Sequence, residues 1–559
     1  MTTAPGHTGR RLAALAALAA VTAAWAACPP APASAVGPRP STHVPVALHV
    51  HTIESDGTGT REVVAAAAAR AGVAAAVLTD HGDGRRSPRP PAHVGGVLLL
   101  DGVEISTWSG HYAALGAAPA PYPLGGEPRA VVEDVARLGG FGIAAHPGSA
   151  KDDLRWRDWD APIDGIEWLN GDSVWRARPR RLWRTALGYP FRPIQALTAL
   201  VERPSFELEQ WDRLTTRRPV VGLVAHDAHA RLGLRGLGEP YGDGLAVPLP
   251  GYDVVFGSFV NVAVVAAPLT GEAVSDAAAV SGALRRGRVY AVLTGIAPSG
   301  RVHFEATSGA ARATMGEHLV PVGAVSWRFR ADVPAGAVSV LLCEGREVAR
   351  AAGGRLEWQH ATGPGACRVE VRVAWDGAER PWLVTNPIYA RAVLTVAAPA
   401  TPPVQPLAVV GEGGPAAWAV ETAADATARV ASGPDATLDF EWRLGPAADT
   451  FAAIQTTAPP GLASATAVML RVAADRPRRL WVQLRAPDGG GQRWGASFYA
   501  DETPRDVTVP MAAMVPFGDA ATTRVALDRV TAVLIVTDTV HAVPGSAGTI
   551  RLAALRLAR

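Results

Sequence analysis

The chain has 559 residues, a formal net charge of +2 and 48% hydrophobic residues. That length calls for more than one domain, and the apolar fraction is enough to bury several cores. A charge so close to balance leaves no electrostatic case for nucleic acid or for an acidic membrane surface as partner.

The N-terminus reads as an export signal. Arg10 and Arg11 precede "LAALAALAAVTAAWAA", an apolar, small-residue run too short and too closely flanked by proline to make a good spanning helix. Small residues in "APASA" offer cleavage after Ala35, which makes 1–35 a signal peptide. "WAAC" resembles a bacterial lipobox, with Trp25 where Leu is usual, so cleavage before Cys28 and lipidation there is a second route. The arginine pair also resembles a weak twin-arginine signal, a route that exports folded proteins. The expected location is periplasmic, extracellular or lipid-anchored to the cell envelope, and a lipid at Cys28 is the only membrane attachment expected.

A short linker spans 36–43. From 44 to 298, strand-like runs ("VPVALHV", "VAAAVLT", "GGVLLLDGVEI", "FGIAAH", "IDGIEWL", "RPVVGLVAH") are interleaved with helix-like "TREVVAAAAARAG" and "PRAVVEDVARLGG". Alternating β and α predicts a parallel sheet with crossover helices, and its size and repetition suit a barrel. Residues 172–217 form an Arg- and Trp-rich insertion, predicted helical: either a cap over the barrel mouth or a solvated helical face. After 299 the texture changes to "RVHFEAT", "VSWRFRADV", "CRVEVRVAW" and "PWLVTNPIYAR", which predicts a small β-sandwich over 299–396. A Pro/Gly-rich linker follows over 397–416, and then a second β region over 417–559 with "LDFEWRL", "RRLWVQLRA" and "AVLIVTDTV", read as a jelly roll. Cys343 and Cys367 fall in strand-like runs; a disulfide and two buried thiols both fit.

In "ALHVHTIESDG", His49 and His51 stand one residue apart at the end of an apolar run. Side chains at i and i+2 of a strand share a face, and two imidazoles aimed at one point suit a metal ion. The later runs end alike. Asp80 and His81 follow "VAAAVLT", Glu104 follows "VLLLDGV" with His111 in "SGHYAALG", His146 follows "FGIAA", and His226, Asp227 and His229 follow "VVGLVA". In a β/α barrel the C-terminal strand ends converge on one face, where sites lie. Five such endings are hard to explain as scattered core histidines.

Taken in order, "HVHT…SDG", "LTDHGD", "GVEIS…GHYAALG", "AAHPG" and "AHDAH" resemble the motifs of the PHP (polymerase and histidinol phosphatase) superfamily of metal-dependent hydrolases, over residues 44–298. The exported layout is similar to the carbaryl-hydrolase-like branch. The resemblance implies a distorted (β/α)7 barrel with two or three divalent ions. One ion would take His49, His51, Glu104 and Asp227. Glu104 would bridge to a second held by His111 and His146, and a third would use Asp56, His81 and His229. Asp56 stands where some family members have His. His226 and Asp80 are expected either to orient ligands from behind or to be strand-end residues, and His93 to lie in a surface loop. "PWLVTNPIYAR" resembles the small sandwich appended to exported members, and the last domain resembles carbohydrate-binding jelly rolls.

Mixed imidazole and carboxylate ligands suit Zn, Mn or Fe. Two close ions would turn a bridging water into hydroxide at neutral pH and stabilise charge on a phosphoryl or carbonyl oxygen. Asp227 or His229 would carry the proton. The expected activity is hydrolysis of a small-molecule ester, a phosphoester first, with a carboxylic or carbamic ester as the alternative. Lys151 follows a ligand-bearing strand end and either meets a substrate anion or is solvated. Trp108, Tyr112, Trp168 and Asn170 lie beside ligand positions and either line the pocket or pack. Trp442, Trp481, Trp494 and Tyr499 are candidates for sugar stacking or for core. If they stack, the partner is a polysaccharide or cell wall, and a non-catalytic binding protein is the reading from another class.

Overall fold

The computed structural model describes residues 41–176, 182–233, 246–391, 406–409, 411, 413–459, 462–487, 492–517 and 525–559. The signal segment 1–35 with Cys28, residues 392–396 of the expected small sandwich and residues 397–405, 410 and 412 of the expected linker lie outside these. The described chain is mostly β-sheet, with few and short helices.

Strand β1 (His43–Val50) runs parallel to β2 (Ala75–Leu78), and β2 parallel to β4 (Val97–Thr107). Between β1 and β2, α1 (Arg61–Arg70) starts where the Thr60 side chain accepts from Val63 N–H and stops just before Gly72, at φ +74°. Those are an N-cap and a left-handed C-terminal glycine. The short edge strand β3 (Ala92–Val94) pairs antiparallel with β4 and carries His93, whose Nε2 lies 3.0 Å from Asp276 Oδ2. His93 is therefore a paired strand residue and not part of a surface loop.

The expected β/α alternation breaks at β5 (Gly110–Leu115). It pairs antiparallel with β4 and with β6 (Phe141–Ala144). The turn after Thr107 is far too short for a parallel crossover, which needs a dozen or more residues, so β4 and β5 form a hairpin. Helix α2 (Pro128–Arg137) lies between β5 and β6. β6, β7 (Gly165–Asn170) and β8 (Val221–Ala225) are parallel again. The sheet then returns to its start. His226 N–H donates to Leu48 O (2.8 Å) and His51 N–H to Ala228 O (3.0 Å), and Val50 bridges Ala228 in parallel. The ring β1-β2-β4-β5-β6-β7-β8 is thus closed by hydrogen bonds but mixed in direction. Alternate residues Val46, Val77, Leu98, Ala113, Ile143 and Leu223 meet in one apolar cluster, whereas Ala76 and Leu99 pack with Val64 and Ala68 of α1.

Within the insertion, α3 (Gly171–Arg176), α4 (Leu182–Gly188), α5 (Pro193–Thr198) and α6 (Ser205–Thr215) are helical. Their firmest ties run sideways. Asp212 on α6 accepts both Nε and Nη2 of Arg368, and Arg203 donates to both oxygens of Glu370. The insertion is anchored to the following β region by these buried ion pairs.

After a two-residue ribbon, β9 (Leu232–Gly233) with β10 (Ala246–Val247), strand β11 (Val260–Val264) pairs antiparallel with β1, and β12 (Val289–Val292) with β11. β12 then pairs with the strand Ala378–Thr385, so the sheet passes without interruption from the ring into the region after 299. That region is a two-layer sandwich, with one layer extending the first sheet. Phe304, Trp327 and Phe329 of a separate four-stranded sheet face Leu341, Val369, Val371 and Trp382 of the extension. Cys343 and Cys367, directly opposite on paired strands, form a disulfide.

The last region packs two six-stranded antiparallel sheets over Phe440, Val468, Leu470, Val482, Trp494 and Ile535. The strand Pro406–Val409, inside the expected linker, pairs with Ala547–Ala558 and belongs to this region.

Candidate metal centre

Most ligand candidates sit at or just beyond the ends of ring strands; Glu104 lies inside β4, and His111 opens the antiparallel β5. His49 has left-handed backbone (φ +63°), and the pairing of β1 with β2 shifts register between Ala47 and Val50. Plain strand alternation is therefore not what joins His49 to His51; a bulge turns both rings toward one point. His146 (φ +31°) and Asp227 (φ +49°) are also left-handed. Such conformations cost a non-glycine residue about 1–3 kcal/mol and cluster at functional sites.

Glu104, inside β4, is the hub. Its Oε2 lies 3.1 Å from His49 Nε2, 3.2 Å from His51 Nε2 and 3.3 Å from His81 Nδ1. Its Oε1 lies 2.9 Å from His111 Nδ1 and 2.7 Å from His146 Nε2. Asp227 Oδ1 is 3.6 Å from His49 Nε2, 3.5 Å from His51 Nε2 and 3.5 Å from His229 Nδ1. Asp56 Oδ2 is 3.1 Å from His229 Nε2 and 3.8 Å from His81 Nε2. All nine residues, six imidazoles and three carboxylates, fall into overlapping groups whose donor atoms lie within 4.8 Å of one another.

Two observations test whether a cation fits. His49 Nε2 and His51 Nε2 are buried and make no hydrogen bond. They and the Glu104 and Asp227 oxygens are spaced 3.1–3.6 Å apart across the imidazole–carboxylate pairs. Ligands at 2.0–2.1 Å from one ion in a tetrahedron lie about 3.3–3.4 Å from each other. The donor set fits a zinc-sized ion there.

The electrostatics demand the same positive charge. Burial alone would raise the Glu104 carboxyl, but His49 together with His111 and His146 holds it well below the usual carboxylate range. Asp227 is likewise driven down against burial by His49, His51 and His229. Burial opposes charge on His51, yet the Asp227 and Glu104 carboxylates hold its imidazole up at about 9. Carboxylates this deeply buried need a counter-charge, and protons or a cation can supply it.

Around the ligands stands a supporting layer. Glu167 on β7 is fully buried; its Oε1 is 2.6 Å from His49 Nδ1, and its Oε2 accepts from His146 N–H (2.7 Å) and Asn170 Nδ2 (2.9 Å). Sequence reasoning missed Glu167. The signal was an acid in the buried run "GIEWLN", on the one ring strand given no ligand. Asn170 steadies Glu167, so it acts behind the ligands and does not line the pocket as a substrate contact. Asp80 accepts from Thr52 N–H, Thr52 Oγ1 and Ser55 Oγ and fixes the loop that carries Asp56. Burial lowers His226 to about 4, so its imidazole is neutral. Its Nε2–H donates to Phe259 O (2.7 Å), its Nδ1 accepts from Leu48 N–H (3.3 Å), and the ring stacks on Phe259. It stands just beyond the end of β8 and helps close the ring.

The remaining substrate candidates go elsewhere. Trp108 stacks on Trp481 of the last region. Tyr112 is buried against Trp156, and Trp168 is also buried; both pack. Lys151 is half-buried in the loop after β6, its N–H held by Ser149 Oγ. A cavity of about 150 Å³ opens beside His81, lined also by Glu54, Arg86, Asp101 and Val103. Of the candidate sugar platforms, Trp442 and Trp494 are core, Trp481 is covered by Trp108, and Tyr499 lies between Arg137 and Arg505. Among the described residues of 417–559, Trp418, Phe451, Tyr499 and Phe517 are partly buried and the other Trp and Phe residues are buried.

No family model and no curated protein matches the chain. Among solved structures it is similar to a family 11 carbohydrate-binding module from Clostridium thermocellum in complex with a β-1,3-1,4-mixed-linked tetrasaccharide (14% identity, 28% of this chain, 94% of that one, TM-score 0.23). It is also similar to a protein provisionally named a metal-dependent phosphoesterase from Bifidobacterium adolescentis (15% identity, 37% of this chain, 94% of that one, TM-score 0.23). Likenesses at this level define neither the fold nor the activity of this chain.

Proposed function

We propose that the protein is an exported metal-dependent hydrolase of ester bonds, of the PHP type, with phosphoesters as its first substrate class. The observation that carries this is the pair of orphaned, buried imidazole nitrogens of His49 and His51 facing Glu104 and Asp227 at tetrahedral spacing. Glu104 faces two histidine groups with its two oxygens, so it would hold two ions side by side. Asp56, His81 and His229 would serve a third. Bound ions of this kind supply Lewis acidity and lower the pKa of water. The chain itself would place the substrate in the cavity beside His81. Asp227 and His229, in contact with each other, would take up and release the proton. Glu167 and the Leu154 carbonyl, which accepts from His146 Nδ1, would hold the ligand rings in place.

A second reading, an uncharged carboxylic or carbamic ester, is favoured by one feature. Arg86, the cation lining the cavity, is paired with Asp101 at 2.9 Å. The test is elemental analysis of the mature protein with a panel of p-nitrophenyl phosphate, a phosphodiester and a carbamate ester. Two or three ions per chain and turnover lost on chelation are expected. Absence of bound metal and no rescue by Zn or Mn would refute the reading, and the panel distinguishes the ester classes.

A further inference from the structure

The β4–β5 hairpin supplies both Glu104 and His111, and Trp108 stands at its tip. Trp108 stacks on Trp481 (ring centroids 5.3 Å apart, planes 8° apart) and meets Phe517 edge-on at 5.5 Å. The backbone N–H of Trp108 donates to Gly126 O at 2.8 Å. The Gly126 segment lies against the last sandwich. Ser497 N–H donates to Glu127 Oε2 (2.7 Å), and a Cβ at Gly126 would come within 2.8 Å of Val540 Cγ1. Beside it, Arg479 donates from Nε and Nη2 to the two oxygens of Asp134 on α2 (2.9 and 3.0 Å). The two residues are only 2% and 3% exposed.

Strand alternation explains the surface. On Arg478–Arg485, Leu480, Val482 and Leu484 fill the sandwich core, so Arg479 and Trp481 face the other way, onto the ring. A buried, doubly hydrogen-bonded ion pair is tolerated only where geometry is held firmly, which distinguishes this contact from loose domain packing.

We propose that the C-terminal sandwich is a built-in brace of the metal centre: Trp481 is a positioning residue that holds the β4–β5 hairpin, and through it Glu104 and His111, in ligand geometry, while the Arg479–Asp134 pair docks the sandwich on α2 beside it. The brace rests on the reading of the cluster as a metal site. Ser106 on the same hairpin, with Oγ 3.2 Å from His111 Nε2, is the nearest link between tip and ligand.

The test uses the full chain and its Trp481→Ala and Trp108→Ala variants. Backbone amide exchange is followed over residues 102–115, and Zn affinity is measured by competition with a chromophoric chelator. Both variants are expected to exchange faster over the hairpin, with β1 and β2 unchanged, and to bind Zn about tenfold or more weakly, the range for residues that orient ligands. Trp481→Phe should restore most of both. Trp108→Ala removes the contact from outside the sandwich, so the test survives if Trp481→Ala misfolds that domain. Wild-type exchange and wild-type affinity in Trp108→Ala would overturn the brace alone. A wild-type chain that binds no Zn, Mn or Fe would overturn the metal site and the brace with it.

Discussion

Replacing Glu167 by Gln removes one charge from a fully buried position and leaves its shape nearly unchanged. In the native chain its carboxylate makes two short contacts, to His49 Nδ1 (2.6 Å) and His146 N–H (2.7 Å), and a longer one to Asn170 Nδ2 (2.9 Å). The first fixes which nitrogen of His49 is free to face Glu104 and Asp227. A glutamine accepts through one oxygen only, and its amide group opposes either His49 Nδ1–H or both the His146 and Asn170 donors, which share Oε2. Loss of one hydrogen bond to a charged group costs about 1.5–3 kcal/mol. Expressed on the ligand that Glu167 orients, this is about a 10- to 100-fold loss of metal affinity. The assay is metal competition against a chelator, run with thermal melting so that weaker binding is not mistaken for unfolding. Glu167→Ala, which also leaves the His146 N–H unpaired and buried, should lower stability by a further ~1–3 kcal/mol. Unchanged affinity in a folded Glu167→Gln chain would refute the idea that β7 serves the site.

His49→Ala combined with Asp227→Ala should abolish metal-dependent hydrolysis while the sandwich regions stay folded by circular dichroism; full activity would refute the ligand assignment. The Cys343–Cys367 bond closes a loop of sequence separation 24, so Cys343→Ser with Cys367→Ser should lower stability by about 3 kcal/mol in denaturant titration. Docking of the last sandwich should weaken as pH falls from about 6.5 toward 5. Burial, reinforced by Arg479, holds His541 well below the ordinary imidazole value, so it is neutral when docked and takes up a proton only when released. Burial raises Glu127 and Asp538, which opposes this effect only where carboxylates begin to protonate. Protease sensitivity measured against pH, with His541→Leu flattening the profile, checks the sign.

The residue types and their order were legible from the chain alone. A strand end is marked by where an apolar run stops, and a ligand-type residue at most of these stops is a local pattern, so His49, His51, His81, His146, Asp227 and His229 stand out without coordinates. Glu104 and His111 stand out as residue types in the same series, although β4 runs on past Glu104 and His111 opens β5. Three things were decided only by tertiary structure. The β4–β5 hairpin replaces a crossover because the turn length, and not the apolar pattern, sets strand direction. Glu167 becomes a partner of His49 through a contact 118 residues away in sequence, which no local period encodes. From sequence, Trp108 fits a pocket wall or packing, and Trp481 fits core first, since burial is the default of an aromatic on a sandwich strand, with sugar stacking as the alternative. Whether an aromatic ring faces solvent depends on what packs over it, and here the stack across two domains buries Trp481 fully while Trp108 stays partly exposed.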